Sequence, residues 1–144
     1  MKRSKSFRKE LLIKSSTENL SIVRDFIKAA GDEVGFEKET IGKIVLAVDE
    51  ACTNIIKHAY KYASDGDIII IVIFDGSKLA ISITDYGLNF DPNVIPVPDI
   101  QEYYKQRKVG GLGIFLMKKL MDEVKYANLS DNRNQVTLVK YLMQ

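Results

Sequence analysis

The chain has 144 residues, of which 46% are hydrophobic and 28% charged, a balance typical of one globular domain with a packed core. Its formal net charge of only +2 argues against a dedicated nucleic-acid binder, which would concentrate basic residues on one face. The single cysteine excludes an internal disulfide, and the apolar run of residues 68–74 is too short to cross a bilayer. The first nine residues are locally basic, but no apolar segment follows them in the manner of a signal peptide. We therefore expect a cytoplasmic protein that binds neither nucleic acid nor membrane.

The first half of the chain predicts one strand and two helices. Residues 7–13 alternate roughly between polar and apolar, as in a strand. The hydroxyl side chains at residues 15–17 are suited to capping a helix, and the apolar residues of 20–34 recur at helical spacing until Gly35, which is suited to end it. A second apolar stripe predicts a helix from about Glu37 to Tyr60. Cys52 lies on that stripe and is predicted to be a core residue.

The second half predicts two hairpins separated by a loop and a helix. Residues 68–74 have no polar face, which predicts a central strand covered on both sides. A tight turn at residues 75–77 leads into a strand at 79–84 that ends directly on Asp85. Residues 88–109 lose all periodicity and contain all three prolines, and a loop of this length is typically a lid. A helix then begins at Gly110, and residues 124–129 and 135–142 predict a final hairpin.

This order of elements predicts the fold class. Strands that are mostly neighbours in sequence favour a mixed, mostly antiparallel sheet, and helices on one of its faces complete a two-layer α/β sandwich of the α+β kind. We expect residues 1–144 to form a single domain with a lid at about residues 88–109.

Two of the candidate chemical stretches carry carboxylates. Glu50 and Asn54 are four residues apart, so on a helix they lie one turn apart, opposite the apolar stripe, where they can share a water or a metal ion. A solvated helix face explains the same spacing. Asp85 ends a strand and Gly87 lets the chain turn away, so Asp85 can accept a hydrogen bond from an exocyclic amine, favouring adenine over guanine. An ordinary Asp-x-Gly turn is the alternative.

The third stretch is the glycine-rich start of the last helix. Gly110, Gly111 and Gly113 allow close approach of the backbone, and the unpaired N–H groups of a first helical turn attract phosphate. The stretch lacks the Walker pattern, and a loop precedes it instead of the strand of a dinucleotide fingerprint. A glycine-rich helix start without a ligand is the alternative. His58, the only histidine, is expected to form a hydrogen bond at its helix end rather than to act in catalysis.

Together the three stretches resemble the Bergerat-fold (GHKL) ATPases, the class that includes gyrase, Hsp90, histidine kinases and MutL. Glu50-x-x-x-Asn54 is similar to their N box, Asp85-x-Gly87 to their first glycine box and Gly111-x-Gly113 to their second. Residues 47–60, 110–116 and 120–124 resemble more specifically the anti-sigma-factor serine kinases of bacterial partner-switching systems. The resemblance covers nearly the whole chain in order and spacing.

The resemblance implies a site for ATP and Mg²⁺. It implies that Glu50 is the general base toward the attacking hydroxyl or water. It also implies that the amide oxygen of Asn54 binds Mg²⁺ and that Asp85 accepts a hydrogen bond from the adenine amino group. The resemblance also implies contacts near the base: Gly87 beside Asp85, and Thr137 supporting Asp85 through a water. Around the phosphates it implies Gly110, Gly111, Leu112 and Gly113, and also Lys57, for which a solvated lysine is the alternative. The γ-phosphate would be neutralised by Arg107 or Lys108, if by either, since Val109 stands directly before the glycines.

The implied function is that of a Mg-ATP-dependent serine/threonine protein kinase that acts as an anti-sigma factor. It would phosphorylate an anti-sigma-factor antagonist of the STAS type, sequester a sigma factor or another regulatory target, and form a homodimer. The alternative is an ATP-gated protein-binding module with little or no kinase activity. A histidine kinase fragment is disfavoured because the sole histidine lies in the N-box helix. A motor ATPase like gyrase or MutL is disfavoured because we see no further domain to which it could couple.

Overall fold

The structure, a computed structural model, describes residues 5–87, 109–129 and 132–142, with the backbone alone at residues 109–114. The elements in chain order are β1 (Phe7–Lys14), α1 (Leu20–Val34), α2 (Lys38–Asn54), β2 (Asp67–Phe74), β3 (Lys78–Asp85), α3 (Val109–Leu120), β4 (Glu123–Leu129) and β5 (Arg133–Tyr141). A 3₁₀ turn, Thr17–Asn19, precedes α1, and a π-helical turn, Ile55–Ala59, continues α2. The predicted lid, apart from Val109, lies outside the described residues.

The five strands form one sheet in the order β1-β2-β3-β5-β4. Every pairing in this sheet is antiparallel, so the predicted two-layer sandwich is confirmed, with an antiparallel rather than a mixed sheet in the described part of the chain. β3 lies at the centre, between β2 and β5. The register places the last residue of β3, Asp85, between Ile68 of β2 and Asn134 of β5.

The helices cover one face of this sheet. Side chains alternate between the two faces of a strand, so every second residue of the central strands is fully buried on the helix side. These residues are Ile68, Ile70, Val72 and Phe74 in β2, and Leu79, Ile81 and Ile83 in β3. They pack against the apolar stripes of α1 and α2. Cys52 belongs to this core and is fully buried, as predicted. None of the described helices is long and apolar enough to span a bilayer.

The other face of the sheet carries no helix among the described residues. Leu12 is 60% exposed and Ile73 44% exposed there, and Ile69 and Ile71 are only partly buried. The prediction that residues 68–74 are covered on both sides is therefore wrong. Their apolar character does reflect a strand with neighbours on both edges, but only one of its faces is packed against helices.

The segment between β1 and α1 also differs from its prediction. Ser16 and Asn19 form no side-chain capping hydrogen bond. The Ser15 hydroxyl instead donates to the carbonyl oxygen of Ala63 at 2.5 Å and accepts from the Gly66 N–H at 2.9 Å. It thereby joins the end of β1 to the turn before β2. α1 ends at Gly35 in the left-handed region, with φ of 94°, as predicted for a helix-ending glycine.

Candidate functional site

The C-terminal part of α2 carries Glu50 and Asn54. Glu50 is partly buried, whereas Asn54 is only 5% exposed. The expectation that both side chains face away from the buried side of the helix is therefore wrong for Asn54. The reason is that α2 packs against α1 and α3 as well as against the sheet, so little of its circumference stays in contact with solvent.

The Asn54 carboxamide has one polar atom that the described residues leave unsatisfied. Its Nδ2 is buried and has no hydrogen-bond partner among the described residues. Leaving such a donor unpaired costs about 1–3 kcal/mol, so a group of this kind points to a hydrogen-bond acceptor that is not among the described residues. The amide oxygen of the same side chain is a suitable ligand for Mg²⁺. Asn54 therefore fits the metal-binding role that the resemblance implies.

A metal at this position would depend on the nucleotide. No group of three or more His, Cys, Asp or Glu side chains in the described part of the chain could hold an ion by itself. Mg²⁺ characteristically keeps several waters and is held by one or two protein groups together with substrate phosphates. The residues present fit a magnesium ion that arrives with ATP, and they do not form a metal cage of their own.

The Glu50 carboxyl is tuned toward proton uptake. Burial raises its pKa, the neighbouring Asp49 raises it further, and Lys57 lowers it. Asp49 is itself held by Arg24 of α1, with 2.8 Å between Nε and Oδ1. A carboxylate whose pKa is raised toward neutrality is a better general base than an ordinary exposed one. Lys57, two helical turns further on, supplies a positive charge that favours the ionised form of Glu50.

His58 lies in the π-helical turn after Asn54. Burial lowers its pKa, and the positive charges of Lys57 and Lys61 lower it further. The imidazole is therefore mainly neutral at pH 7, and the hydrogen-bonding role expected from the sequence stays a prediction.

Asp85 presents a buried carboxylate at the end of β3. The residue is 2% exposed, and its Oδ1 accepts hydrogen bonds from the Gly87 N–H at 2.9 Å and from Asn134 Nδ2 at 3.0 Å. Burial raises the pKa of Asp85, while these two hydrogen bonds lower it. Oδ2 has no partner in the described part of the chain. It is the oxygen that can accept from an exocyclic amine.

Gly87 brings the end of β3 against the end of the α2 segment. A Cβ atom at this position would lie 2.6 Å from the carbonyl oxygen of Ala59 and 2.7 Å from its Cβ, so only glycine fits without a shift of the backbone. Ala59 belongs to the π-helical turn that follows Asn54, and π-turns within helices are frequent at functional sites. The Asp85–Gly87 stretch therefore contacts the turn that follows the Glu50–Asn54 stretch.

Tyr60 supports this junction, and sequence reasoning gave it no role. Its hydroxyl donates to the carbonyl oxygen of Asp67 at 2.5 Å and accepts from the Tyr86 N–H at 2.9 Å. Its ring packs on Gly66, where a Cβ would lie 2.3 Å from a ring carbon. Tyr60 thus fixes the backbone residue between Asp85 and Gly87. Its position just after the N-box helix was the only sequence signal available.

Asn134, and not Thr137, lies beside Asp85. The register pairs Asp85 with Asn134 and Ser82 with Thr137, and residues three apart on a strand point to opposite faces. Thr137 Oγ1 lies 3.4 Å from Ser82 Oγ, on the face away from the helices. The expected support of Asp85 by Thr137 is therefore not what the structure shows. Thr137 was implied by the resemblance, and the register that pairs Asp85 with Asn134 could not be read from the sequence.

The remaining predicted residues lie at or beyond the start of α3. The helix begins at Val109, so Gly110, Gly111, Leu112 and Gly113 form its first turns, as expected. Arg107 and Lys108 lie outside the described residues. A cleft of about 700 Å³ opens beside Gly87 and Asn134, lined by the turn after α2 and by the β4–β5 hairpin. Its size suits a small-molecule ligand, although neither Glu50 nor Asn54 is among the residues that line it.

The sequence is similar to a characterised family of ATPases. Residues 13–140 match the family described as the histidine kinase-like ATPase domain. A serine-protein kinase RsbW from Listeria monocytogenes is 33% identical over 136 residues, covering 92% of this chain and 85% of the relative. Another RsbW, from Bacillus thuringiensis, is 30% identical over 139 residues, covering 94% of this chain and 85% of the relative.

Solved structures agree on the fold. The crystal structure of the RsbU and RsbW domains of Rv1364c from Mycobacterium tuberculosis has a TM-score of 0.67 at 17% identity, covering 96% of this chain and 33% of that one. The SiaB–SiaC complex from Pseudomonas aeruginosa has a TM-score of 0.55 at 12% identity, covering 97% of this chain and 92% of that one. The family match and the curated relatives place the chain in the histidine kinase-like ATPase family, among serine-protein kinases of the RsbW type.

Proposed function

We propose that this protein transfers the γ-phosphoryl group of Mg-ATP to a serine of a small antagonist protein. One observation carries the proposal: Gly87, two residues after the buried Asp85, contacts Ala59 in the turn that follows Asn54. Among the described residues, neither Asp85 Oδ2 nor Asn54 Nδ2 has a hydrogen-bond partner. Asp85 would receive the adenine amine, and Asn54 would take the metal. The family match and the names of the RsbW relatives support the reaction class.

The proposed transfer step uses few protein groups. The serine hydroxyl oxygen bonds to the γ-phosphorus while the bond from phosphorus to the ADP oxygen breaks, and the hydroxyl proton passes to the carboxylate of Glu50. When bound, Mg²⁺ neutralises charge on the phosphates. Phosphoryl transfer depends mainly on such positioning and neutralisation, and a positioned base contributes about 10²–10⁴-fold.

Further contacts to the phosphates belong to the same proposal. The backbone N–H groups at the start of α3, within Gly110–Gly113, suit an anion because the first turn of a helix has unpaired donors and a positive dipole end. Lys57 would add charge from the π-helical turn after α2, and Arg107 or Lys108 would add charge from the lid. We treat residues 1–144 as one catalytic domain closed by that lid.

The partners proposed are proteins. The kinase would phosphorylate a STAS-type anti-sigma-factor antagonist and hold a sigma factor or another regulatory target, in the cytoplasm, where ATP is available. The RsbW relatives are named serine-protein kinases, which supports a protein substrate, and a fold neighbour solved as a complex of two proteins supports a protein partner.

The proposed homodimer would use the sheet face that carries no helix. Leu12 and Ile73 are exposed there, on neighbouring strands β1 and β2, while the nucleotide residues lie on the helix side. Leu12→Lys should shift the protein from dimer to monomer in light scattering after gel filtration. Ile22→Lys is the matched control, because Ile22 is 49% exposed on α1. A Leu12→Lys protein that stays dimeric, or a wild type that is monomeric, would contradict this interface.

The kinase assignment is tested with γ-labelled ATP and a candidate antagonist captured from a native cell extract in the presence of ADP or ATP. The proposal expects label on a serine of the antagonist, lost with the Glu50→Gln enzyme. ATP-dependent capture of a partner with no transfer of label would instead favour the ATP-gated binding module.

A further inference from the structure

The Asn134 side chain makes two hydrogen bonds at the end of β3 that nothing in the sequence motifs assigns. Its Nδ2 donates to Asp85 Oδ1 at 3.0 Å and to the carbonyl oxygen of Gly87 at 3.2 Å. A carboxamide nitrogen carries two hydrogens, so both of its donors are used. One side chain thereby holds the carboxylate of Asp85 and the backbone of Gly87 in a fixed relation.

These acceptors also determine which way the amide points. Rotating the carboxamide by half a turn would place its oxygen against the Asp85 carboxylate and the Gly87 carbonyl, and three acceptors would then face one another with no hydrogen between them. The nitrogen must therefore face Asp85. With Gly87 N–H and Asn134 Nδ2 both bonded to Oδ1, the second carboxylate oxygen is the one left for a ligand.

We propose that Asn134 is the positioning residue for base selection: it fixes the Asp85 carboxylate so that Oδ2 accepts the exocyclic amine of adenine and repels guanine. This inference rests on the proposed nucleotide-binding function. Adenine offers an N6 amine donor where guanine offers the O6 acceptor. An ionised carboxylate only accepts hydrogen bonds, so it pairs with the first and opposes the second.

The hydrogen bond from Asn134 also favours the ionised form of Asp85 against the effect of burial. The neighbours of Asp85 in the sheet add no charge, because Ile68 on β2 and Asn134 on β5 are both uncharged. On the turn after α2 the titratable neighbour is Tyr60, whose own pKa is raised chiefly by burial and in part by Asp85. Loss of Asn134 should therefore move the protonation of Asp85 to higher pH.

The test compares three nucleotides by calorimetry on the whole chain: ADP, GDP and the diphosphate of purine riboside, which lacks the exocyclic amine. Asn134→Leu removes both hydrogen bonds. Gln135→Leu is the matched control, because Gln135 is the adjacent side-chain amide and donates to Thr84 Oγ1 at 3.1 Å on the opposite face of the sheet. Each protein is titrated at several values between about pH 5 and pH 8.

Asn134→Leu should weaken ADP binding about tenfold, as expected for a hydrogen bond to a charged group. It should leave the binding of purine riboside diphosphate nearly unaffected. The loss of ADP affinity on acidification should begin at higher pH than in the wild type, and the preference of ADP over GDP should fall. Gln135→Leu should change none of these. If circular dichroism shows that Asn134→Leu does not fold, Asn134→Ser should show the same selective loss to a smaller degree.

Two contrary results have different meanings. If Asn134→Leu weakened the binding of ADP and of purine riboside diphosphate equally, with an unshifted pH profile, Asn134 would be merely structural. That result would overturn the inference. A wild-type protein that binds none of the three nucleotides would overturn the proposed function itself.

Discussion

The two halves of the candidate site differ in how far the protein itself satisfies their polar groups. At the end of β3, Asp85 is held by Gly87 and Asn134, and the intervening backbone is held by Tyr60. At the end of α2, the Asn54 nitrogen is buried with no partner in the described chain, and burial raises the pKa of Glu50. At the β3 end, the described residues hold Asp85 in a hydrogen-bonded arrangement. At the α2 end, they leave the Asn54 nitrogen without a hydrogen-bond partner.

The difference indicates a division of labour. A pre-organised group binds without the cost of ordering itself, so the β3 end is suited to recognise the base in any bound nucleotide. The amide oxygen of Asn54 suits Mg²⁺, so the α2 end is expected to act only when metal and phosphates are present. Substitutions at the α2 end should therefore change transfer and metal dependence, and substitutions at the β3 end should change base binding and stability.

The largest expected effect is at Glu50. Glu50→Gln removes the proton acceptor but keeps the shape of the side chain, so phosphoryl transfer should fall about 10²–10⁴-fold while Mg-ATP binding is retained. Initial rates with labelled ATP and calorimetric titration measure the two separately. Glu39→Gln, at an 83% exposed position of the same helix, is the control and should match the wild type. Wild-type turnover in the Glu50→Gln enzyme would mean that another group takes the proton.

The next effect concerns the metal. Asn54→Ala should weaken ATP binding about 10- to 100-fold in Mg²⁺ and leave it unchanged in EDTA, because the variant loses an oxygen ligand only when the ion is present. The substitution should cost little stability through lost hydrogen bonds, since Nδ2 has no partner among the described residues. Equal weakening in Mg²⁺ and in EDTA would place Asn54 in nucleotide binding but not in metal binding.

A smaller effect tests the junction between the halves. Gly87→Ala puts a Cβ 2.6 Å from the Ala59 carbonyl oxygen, and relieving such a contact typically costs about 1–3 kcal/mol. Its free energy of unfolding in urea should fall accordingly, and ADP binding should weaken. Gly42→Ala is the matched control in α2, where an added Cβ meets nothing within 4 Å, and it should gain about 0.5–1 kcal/mol. Equal stabilities of the two variants would show that the junction is not tightly packed.

The smallest effect is the pH dependence of stability. The folded-state pKa of Asp85 is raised, chiefly by burial, so its contribution is fully present below the unfolded pKa of about 3.9 and is lost as pH rises through the folded value. Nucleotide-free Asp85→Asn should therefore become more stable relative to the wild type as pH rises, and then level off. Urea unfolding at a series of pH values measures this.

Asp75 provides a comparison of opposite sign. Its pKa is lowered by hydrogen bonds from the backbone N–H groups of Ser77 and Lys78 and from the Ser77 hydroxyl. Its contribution to stability is present above the unfolded pKa and is lost as pH falls through the folded value. Asp75→Asn should therefore be less stable than the wild type at neutral pH, and the difference should disappear on acidification. Parallel pH profiles for the Asp75 and Asp85 variants would contradict the opposite environments of the two carboxyls.

The sequence predicted the strands, the helices and the layering because these depend on local periodicity and on turn residues such as Gly35 and Gly76. It failed where the answer depends on which residues face each other across the sheet. The resemblance implied Thr137 and gave Asn134 no role, because the face and register of β5 are set by its pairing with β3. The burial of Asn54 was missed for a similar reason, since the packing of α3 against α2 has no signature within α2 itself.

The central claim is that the two halves bind one nucleotide, and side-chain amide NMR tests it most directly. In a titration with Mg²⁺ and a non-hydrolysable ATP analogue, the NH₂ signals of Asn54 and Asn134 should both shift, with a single dissociation constant. With ADP in EDTA, the Asn134 signal should still shift and the Asn54 signal should respond far less. Shifts that saturate at two different nucleotide concentrations, or an Asn54 signal that ignores Mg-nucleotide altogether, would contradict the account.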